Sequence, residues 1–139
     1  MTATILTPML VLVCWTLVMW LWMYATRLPA MQKAGMDPAK IKQKSDFDGL
    51  PISVQQVADN YNHLHEQPVI FYALCVYAHL AGSETQLAVL AAWAYAALRI
   101  AHSIFQATVN FVPVRFGLFL LGTLCLVLIA GVQVGALLA

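Results

Sequence analysis

The chain has 139 residues, 62% of them hydrophobic and 9% charged, with a formal net charge of +1 and a mean hydropathy of +0.78. A soluble domain carries about a quarter charged residues, so this composition reads as a membrane protein. It has no basic face to neutralise phosphates, which excludes a nucleic-acid partner, and Cys14, Cys75 and Cys125 lie far apart in apolar runs that match neither a disulfide framework nor a metal spacing.

A spanning helix needs about 20 predominantly apolar residues. Four segments meet that length, 5–26, 62–81, 86–108 and 115–137, which predicts an all-α antiparallel bundle of four transmembrane helices filling residues 1–139 as one domain. The first segment carries no charge from Thr2 to Thr26 and lacks the basic leader and small-residue cleavage site of a signal peptide. It is therefore expected to be a retained span.

Residues 27–59 form the only long polar stretch and hold Arg27, Lys33, Lys40, Lys42 and Lys44, five of the seven basic residues. The positive-inside rule puts this loop in the cytoplasm. Both chain ends and the 82–85 turn then face the other side, residues 110–114 return to the cytoplasmic side, and Trp20 and Trp22 fit the cytoplasmic interface. The second helix is expected to begin before the membrane does, because Pro51 breaks what precedes it and Ser53 with Gln56 fits a capping box. Pro68 lacks an N–H and clashes with the carbonyl of Leu64, which predicts a bend near the interface.

Two polar stripes follow from helical phase. With Arg99 at zero, Gln106, Asn110, Ser103, Tyr95 and His102 all fall within about 60°. With Glu66 at zero, Gln55, Asp59, Asn62 and His63 fall within about 60° as well. Polar groups are costly in lipid, so both stripes must turn toward protein or a water-filled cavity. Together they predict a polar pocket at the cytoplasmic end, between the second and third spans. Arg115 adds a cation at the start of the fourth span, where the helix dipole is already positive, a combination suited to an anion, carboxylate or thiolate.

Each residue also has a plain structural reading. Arg99 and Glu66 could form a buried ion pair, His102 could be an interhelical hydrogen bonder or an acid–base group, Gln106 and Asn110 could join helices, and Ser103 could bond its own helix backbone. Among His63, His65 and Glu66 the adjacent positions point to different faces, so no metal site is expected.

The same residues resemble the MAPEG superfamily, the membrane-associated proteins in eicosanoid and glutathione metabolism. HLHEQPVIFYAL enters the second span and RIAHS closes the third, and a second arginine follows sixteen positions after the first: Arg99, His102, Ser103, Arg115. Glu66, Pro68, Phe71 and Tyr72 look most like bacterial members. The resemblance implies a homotrimer in the bacterial inner membrane, in contact with lipid, that binds glutathione between subunits and acts on a lipophilic small molecule. It implies that Arg115 stabilises the glutathione thiolate and that Glu66 holds the amino group. Asn62, His63, Arg99, His102 and Gln106 would then line or brace the pocket, with Arg27 meeting a carboxylate. The chain departs from the family pattern at Asp59, His63, Gln106 and Phe116, where arginine, asparagine, tyrosine and serine are frequent.

Three functions are compatible with this sequence. One is a glutathione-dependent transferase or peroxidase, and another is a non-catalytic protein of the same scaffold that binds lipid or a protein partner. The third, a small transporter, usually places an acidic residue near mid-membrane, whereas Glu66 stands at the edge of its span.

Overall fold

The computed structural model describes residues 4–139; Thr2 and Ala3 of the uncharged lead lie outside the described residues. Five α-helices account for most of it: α1 Leu6–Lys33, α2 Ile52–His63, α3 Pro68–Leu80, α4 Gln86–Ala107 and α5 Val112–Leu138, with two short 3₁₀ turns in the 34–51 loop. No strand occurs among the described residues.

α1 runs on past Thr26, the end expected from hydropathy, because the helix passes through Pro29 and continues to Lys33. Its stop is encoded locally. Gly35 adopts a φ of 64°, Met36 N–H donates back to the carbonyl of Met31, and Gly35 N–H to that of Gln32; glycine takes this left-handed conformation without a Cβ penalty. Gly82, with φ 63°, ends α3 in the same way through Ser83 N–H to the Ala78 carbonyl.

The second expected span, 62–81, is not one helix. α2 ends at His63 and α3 starts at Pro68, with i→i+3 bonds carrying the chain between them, from His65 N–H to Asn62 and Glu66 N–H to His63. Pro68 explains the break, since it donates nothing to the Leu64 carbonyl, but it suits the first position of a new helix. The capping box expected at Ser53 and Gln56 does not form. Pro51 is the N-cap residue and makes no side-chain cap bond, while Gln56 crosses to α4 and donates to the carbonyls of Ala107 and Thr108 at 3.1 and 2.8 Å.

α4 is the core helix: half of its apolar stretch is buried, against 22% for α1 and for α5. It packs on α1, α2 and α5. One end of the bundle gathers the N-terminal side of α1, the 82–85 turn and the last turns of α5. There Ile5 N–H donates to Glu84 Oε2 at 3.2 Å, His79 Nδ1 lies 2.6 Å from Glu84 Oε1, and Ser83 Oγ donates to Gln133 Oε1. The 34–51 loop and the 108–111 turn lie at the other end, where Gln56 joins α2 to the close of α4. A dry cluster of Leu12, Phe71, Cys75, Ala92, Tyr95 and Ile129 fills the middle.

Candidate functional site

The polar face of α4 is buried as its phase required. Tyr95, Arg99, His102, Ser103 and Gln106 are all at most 5% exposed, and each except Gln106 meets a partner from another helix or from its own. Tyr95 donates to Gln67 Oε1 at 3.3 Å, and Gln67 in turn donates to Thr123 of α5 at 2.8 Å. Ser103 Oγ does not rest on its own helix backbone; it accepts from Trp15 Nε1 at 2.9 Å and from Asn60 Nδ2 at 2.7 Å. Two donors converging on one hydroxyl hold α1, α2 and α4 together. Asn110 is not on α4 at all. The helix ends at Ala107, and Asn110 occupies the turn with a φ of 53°, a conformation asparagine tolerates better than most residues.

Arg99 and Glu66 form no ion pair. Arg99 instead donates to His102 Nδ1 at 3.0 Å, to His63 Nδ1 at 2.5 Å and to the His63 carbonyl at 2.9 Å. That carbonyl belongs to the last turn of α2, the negative end of a helix dipole, which favours a cation there. The burial of this arginine is compensated by lone pairs and backbone rather than by a carboxylate. Glu66 lies in the link between α2 and α3, its side chain 67% exposed and 3.7 Å from His63 Nε2.

Beside the histidines opens a cavity of about 220 Å³ lined by His63, His102, Val112, Arg115, Phe116 and Phe119. The two imidazoles stack with centroids 5.2 Å apart and planes at 18°, and Phe119 tilts against both. Arg115 stands in the first turn of α5 and donates to Asn110 Oδ1 at 2.6 Å, while its Nε is buried without a partner. Charge, helix start and aromatic wall thus meet in one place, a recess that favours an anion with an apolar substituent.

Of the eight candidate residues, His63, His102 and Arg115 line this cavity. Arg99 stands behind the two rings. Gln106 is buried with Oε1 unpartnered and does not reach the cavity lining. Asn62 is exposed. Arg27 belongs to a separate small recess with Lys44, Phe47 and Asp59, its guanidinium 4.4 Å from the centre of the Phe47 ring. Asp59 is held there by Lys44 Nζ at 2.8 Å.

Sequence reasoning missed Asn60, Trp15 and Gln67. The phase of α2 was carried from Glu66, which is not on that helix. Counted within α2, Asn60, Gln56 and His63 fall within about 60° of one another, the face that meets α4, whereas Asp59 and Gln55 lie about 70° and 110° from the middle of that face.

Length and hydropathy of α1, α4 and α5 make each able to cross a membrane, so the chain is an all-helical, multi-pass membrane protein. It matches the model of the MAPEG family over residues 5–135 and belongs to that family. No curated protein and no solved structure matches it. The membership points to a membrane function in glutathione-related or eicosanoid metabolism.

Proposed function

We propose that this protein is a glutathione-dependent transferase or peroxidase acting on lipophilic electrophiles, with Arg115 as the group that stabilises the thiolate. The observation that carries the reading is the position of Arg115: a guanidinium in the first turn of α5, opening on the cavity beside His63 and His102.

The residues fit one end of glutathione. Arg115 supplies the single guanidinium of the cavity lining, matched to one anion, and its Nε lacks a partner. The two carboxylates of the tripeptide need further cations, but Arg99 is engaged by the histidines and Arg27 lies in another recess. The remaining contacts must then come from outside one protomer, in keeping with the trimers general in this family. Glu66, exposed near the mouth, is free to meet an ammonium group there.

Bound glutathione supplies the thiol nucleophile. Arg115 and the α5 helix start stabilise negative charge at sulfur, lowering a thiol pKa from about 8.5 toward neutrality. Asn110 holds the guanidinium in place. Val112 and Phe116, both exposed at the rim, give the apolar part of an electrophile a surface continuous with the lipid-facing side of α5. The loop at 34–51 lies on the cytoplasmic side of a bacterial inner membrane in this reading.

A second reading is a non-catalytic MAPEG protein that holds a lipid in the same cavity. Asp59 favours it, because the family pattern has an arginine at this position to meet a glutathione carboxylate, and the carboxylate here is paired with Lys44 in a separate recess. Calorimetry with purified protein in lipid nanodiscs separates the two. The enzyme reading expects saturable glutathione binding and conjugation of a generic electrophile, with Arg115→Ala lowering the rate by about 100-fold or more. Normal turnover in that variant overturns the role of Arg115, and absent glutathione binding with co-purified lipid in the cavity selects the second reading.

A further inference from the structure

Arg99 touches two imidazoles, and both contacts are made to Nδ1. A guanidinium carries five N–H donors, no acceptor, and remains charged in proteins. Each Nδ1 it meets must therefore present a lone pair. An imidazolium has none, and a neutral ring with an unprotonated Nδ1 carries its proton on Nε2. His63 and His102 are thus both held as neutral Nε2–H tautomers by one arginine.

The two Nε2–H groups have different outlooks. That of His63 faces the Glu66 carboxylate at 3.7 Å. That of His102 has no partner among the described residues, yet it is not one of the sealed, unpartnered polar atoms, and its ring lines the cavity beside Arg115. It opens on the space where an anion would sit.

We propose that Arg99 is a positioning residue that locks His102 in the Nε2–H form, so that the ring donates a hydrogen bond to a bound anion and never serves as the base that takes the thiol proton. The inference deepens the thiolate reading above and rests on it for its chemistry. The S–H bond then loses its proton to solvent water, and the electron pair left on sulfur is stabilised by Arg115 and by the His102 N–H. His63 anchors the other arm of Arg99, with its backbone carbonyl as well as its ring, and so keeps the guanidinium from turning away from His102.

The test reads the tautomer directly. Full-length protein labelled with ¹⁵N-histidine in nanodiscs, without glutathione, gives nitrogen–proton correlations for His63, His65, His79 and His102, with His63→Gln and His102→Gln assigning the two rings. His63 and His102 are expected as Nε2–H tautomers between about pH 6 and 8, the range where a free histidine titrates. Arg99→Gln, whose amide both donates and accepts, is expected to bring the Nδ1–H form of His102 into the spectrum, and Arg99→Lys to recover the Nε2–H form. An Nδ1–H or imidazolium signal for His102 in the unmodified protein at neutral pH overturns the proposal, as does an unchanged tautomer in Arg99→Gln. If Arg99→Gln fails to fold, the unmodified spectrum still decides. The rate of conjugation against pH gives a second readout: one thiol titration in the unmodified protein, and in Arg99→Gln an added acid-side limb, where a His102 base must lose its proton. A protein that fails to bind glutathione leaves the spectrum intact, so the two readings fail separately.

Discussion

The Arg115 guanidinium donates to the side-chain oxygen of Asn110, five residues back, at 2.6 Å. Asn110 can do this because it sits at φ 53° in the turn between α4 and α5, where its N–H also bonds the Phe105 carbonyl at 2.6 Å. One residue therefore both shapes the turn and aims the cation.

Replacing Asn110 separates these duties. Asn110→Gly keeps the left-handed backbone and loses the bond to Arg115; Asn110→Ala loses both, with a left-handed penalty of about 1–2 kcal/mol. Thermal unfolding in detergent is expected to rank native above Gly above Ala, while glutathione conjugation falls in both variants. Equal activity in Asn110→Gly and the native protein would show that Arg115 needs no anchor.

Ser103 accepts from two donors, the part-buried Trp15 Nε1 and the buried Asn60 Nδ2. Ser103→Ala leaves both without an acceptor, at a cost of about 1–3 kcal/mol for each group left unsatisfied. Equilibrium unfolding in mixed micelles should show that loss, together with a changed Trp15 environment in fluorescence. A variant as stable as the parent would mean that the hydroxyl is not the joint between α1, α2 and α4.

Gln56 closes the C-terminal end of α4 by donating to the carbonyls of Ala107 and Thr108. Gln56→Ala is expected to cost about 1 kcal/mol, and Gln56→Glu more, because a carboxylate would face two acceptors. Hydrogen exchange at residues 108–111 should quicken in the same order. Identical exchange in all three proteins would sink the assignment.

The loop has its own pH signature. Asp46 accepts from the backbone N–H groups of Lys42 and Gln43 at 2.8 and 3.1 Å, and these bonds hold its carboxyl below the usual value. A depressed carboxylate contributes order above its unfolded pKa of about 3.9 and loses it as pH falls through the folded value. Protection of the Lys42 and Gln43 amides should accordingly persist at neutral pH and fade below about pH 4. Protection that survives at pH 2, or that is absent at pH 7, contradicts this geometry.

Much of the bundle was legible because hydropathy and phase act over long, regular stretches. α4 and α5 fall within three residues of the limits expected for them, and the buried stripe of Tyr95, Arg99, His102, Ser103 and Gln106 follows from 100° spacing alone. What escaped was set by interruptions. Pro68 was expected to bend one helix and instead separates two, which resets the phase and moves Asn60 and Gln56 onto the inner face while Glu66 turns to solvent. The partner of Arg99 escaped for a different reason. Opposite charge is the first compensation one seeks for a buried arginine, but two imidazole lone pairs and a helix-end carbonyl serve here, and neither is visible as charge in a sequence.

The brevity of α3 has a consequence for access. Its 13 residues extend about 20 Å at 1.5 Å per residue, short of the roughly 30 Å thickness of a hydrocarbon core. Its far end is held by the His79–Glu84 contact, and at its Pro68 end the chain passes through the 64–67 link, where Glu66 is exposed, into α2. The mouth of the cavity has the exposed apolar side chains of Val112 and Phe116 on its α5 side, and the exposed carboxylate of Glu66 lies 3.7 Å from His63 of its lining. In the proposed transferase, an oily reactant would meet the apolar side of that mouth and a water-soluble thiol its charged side.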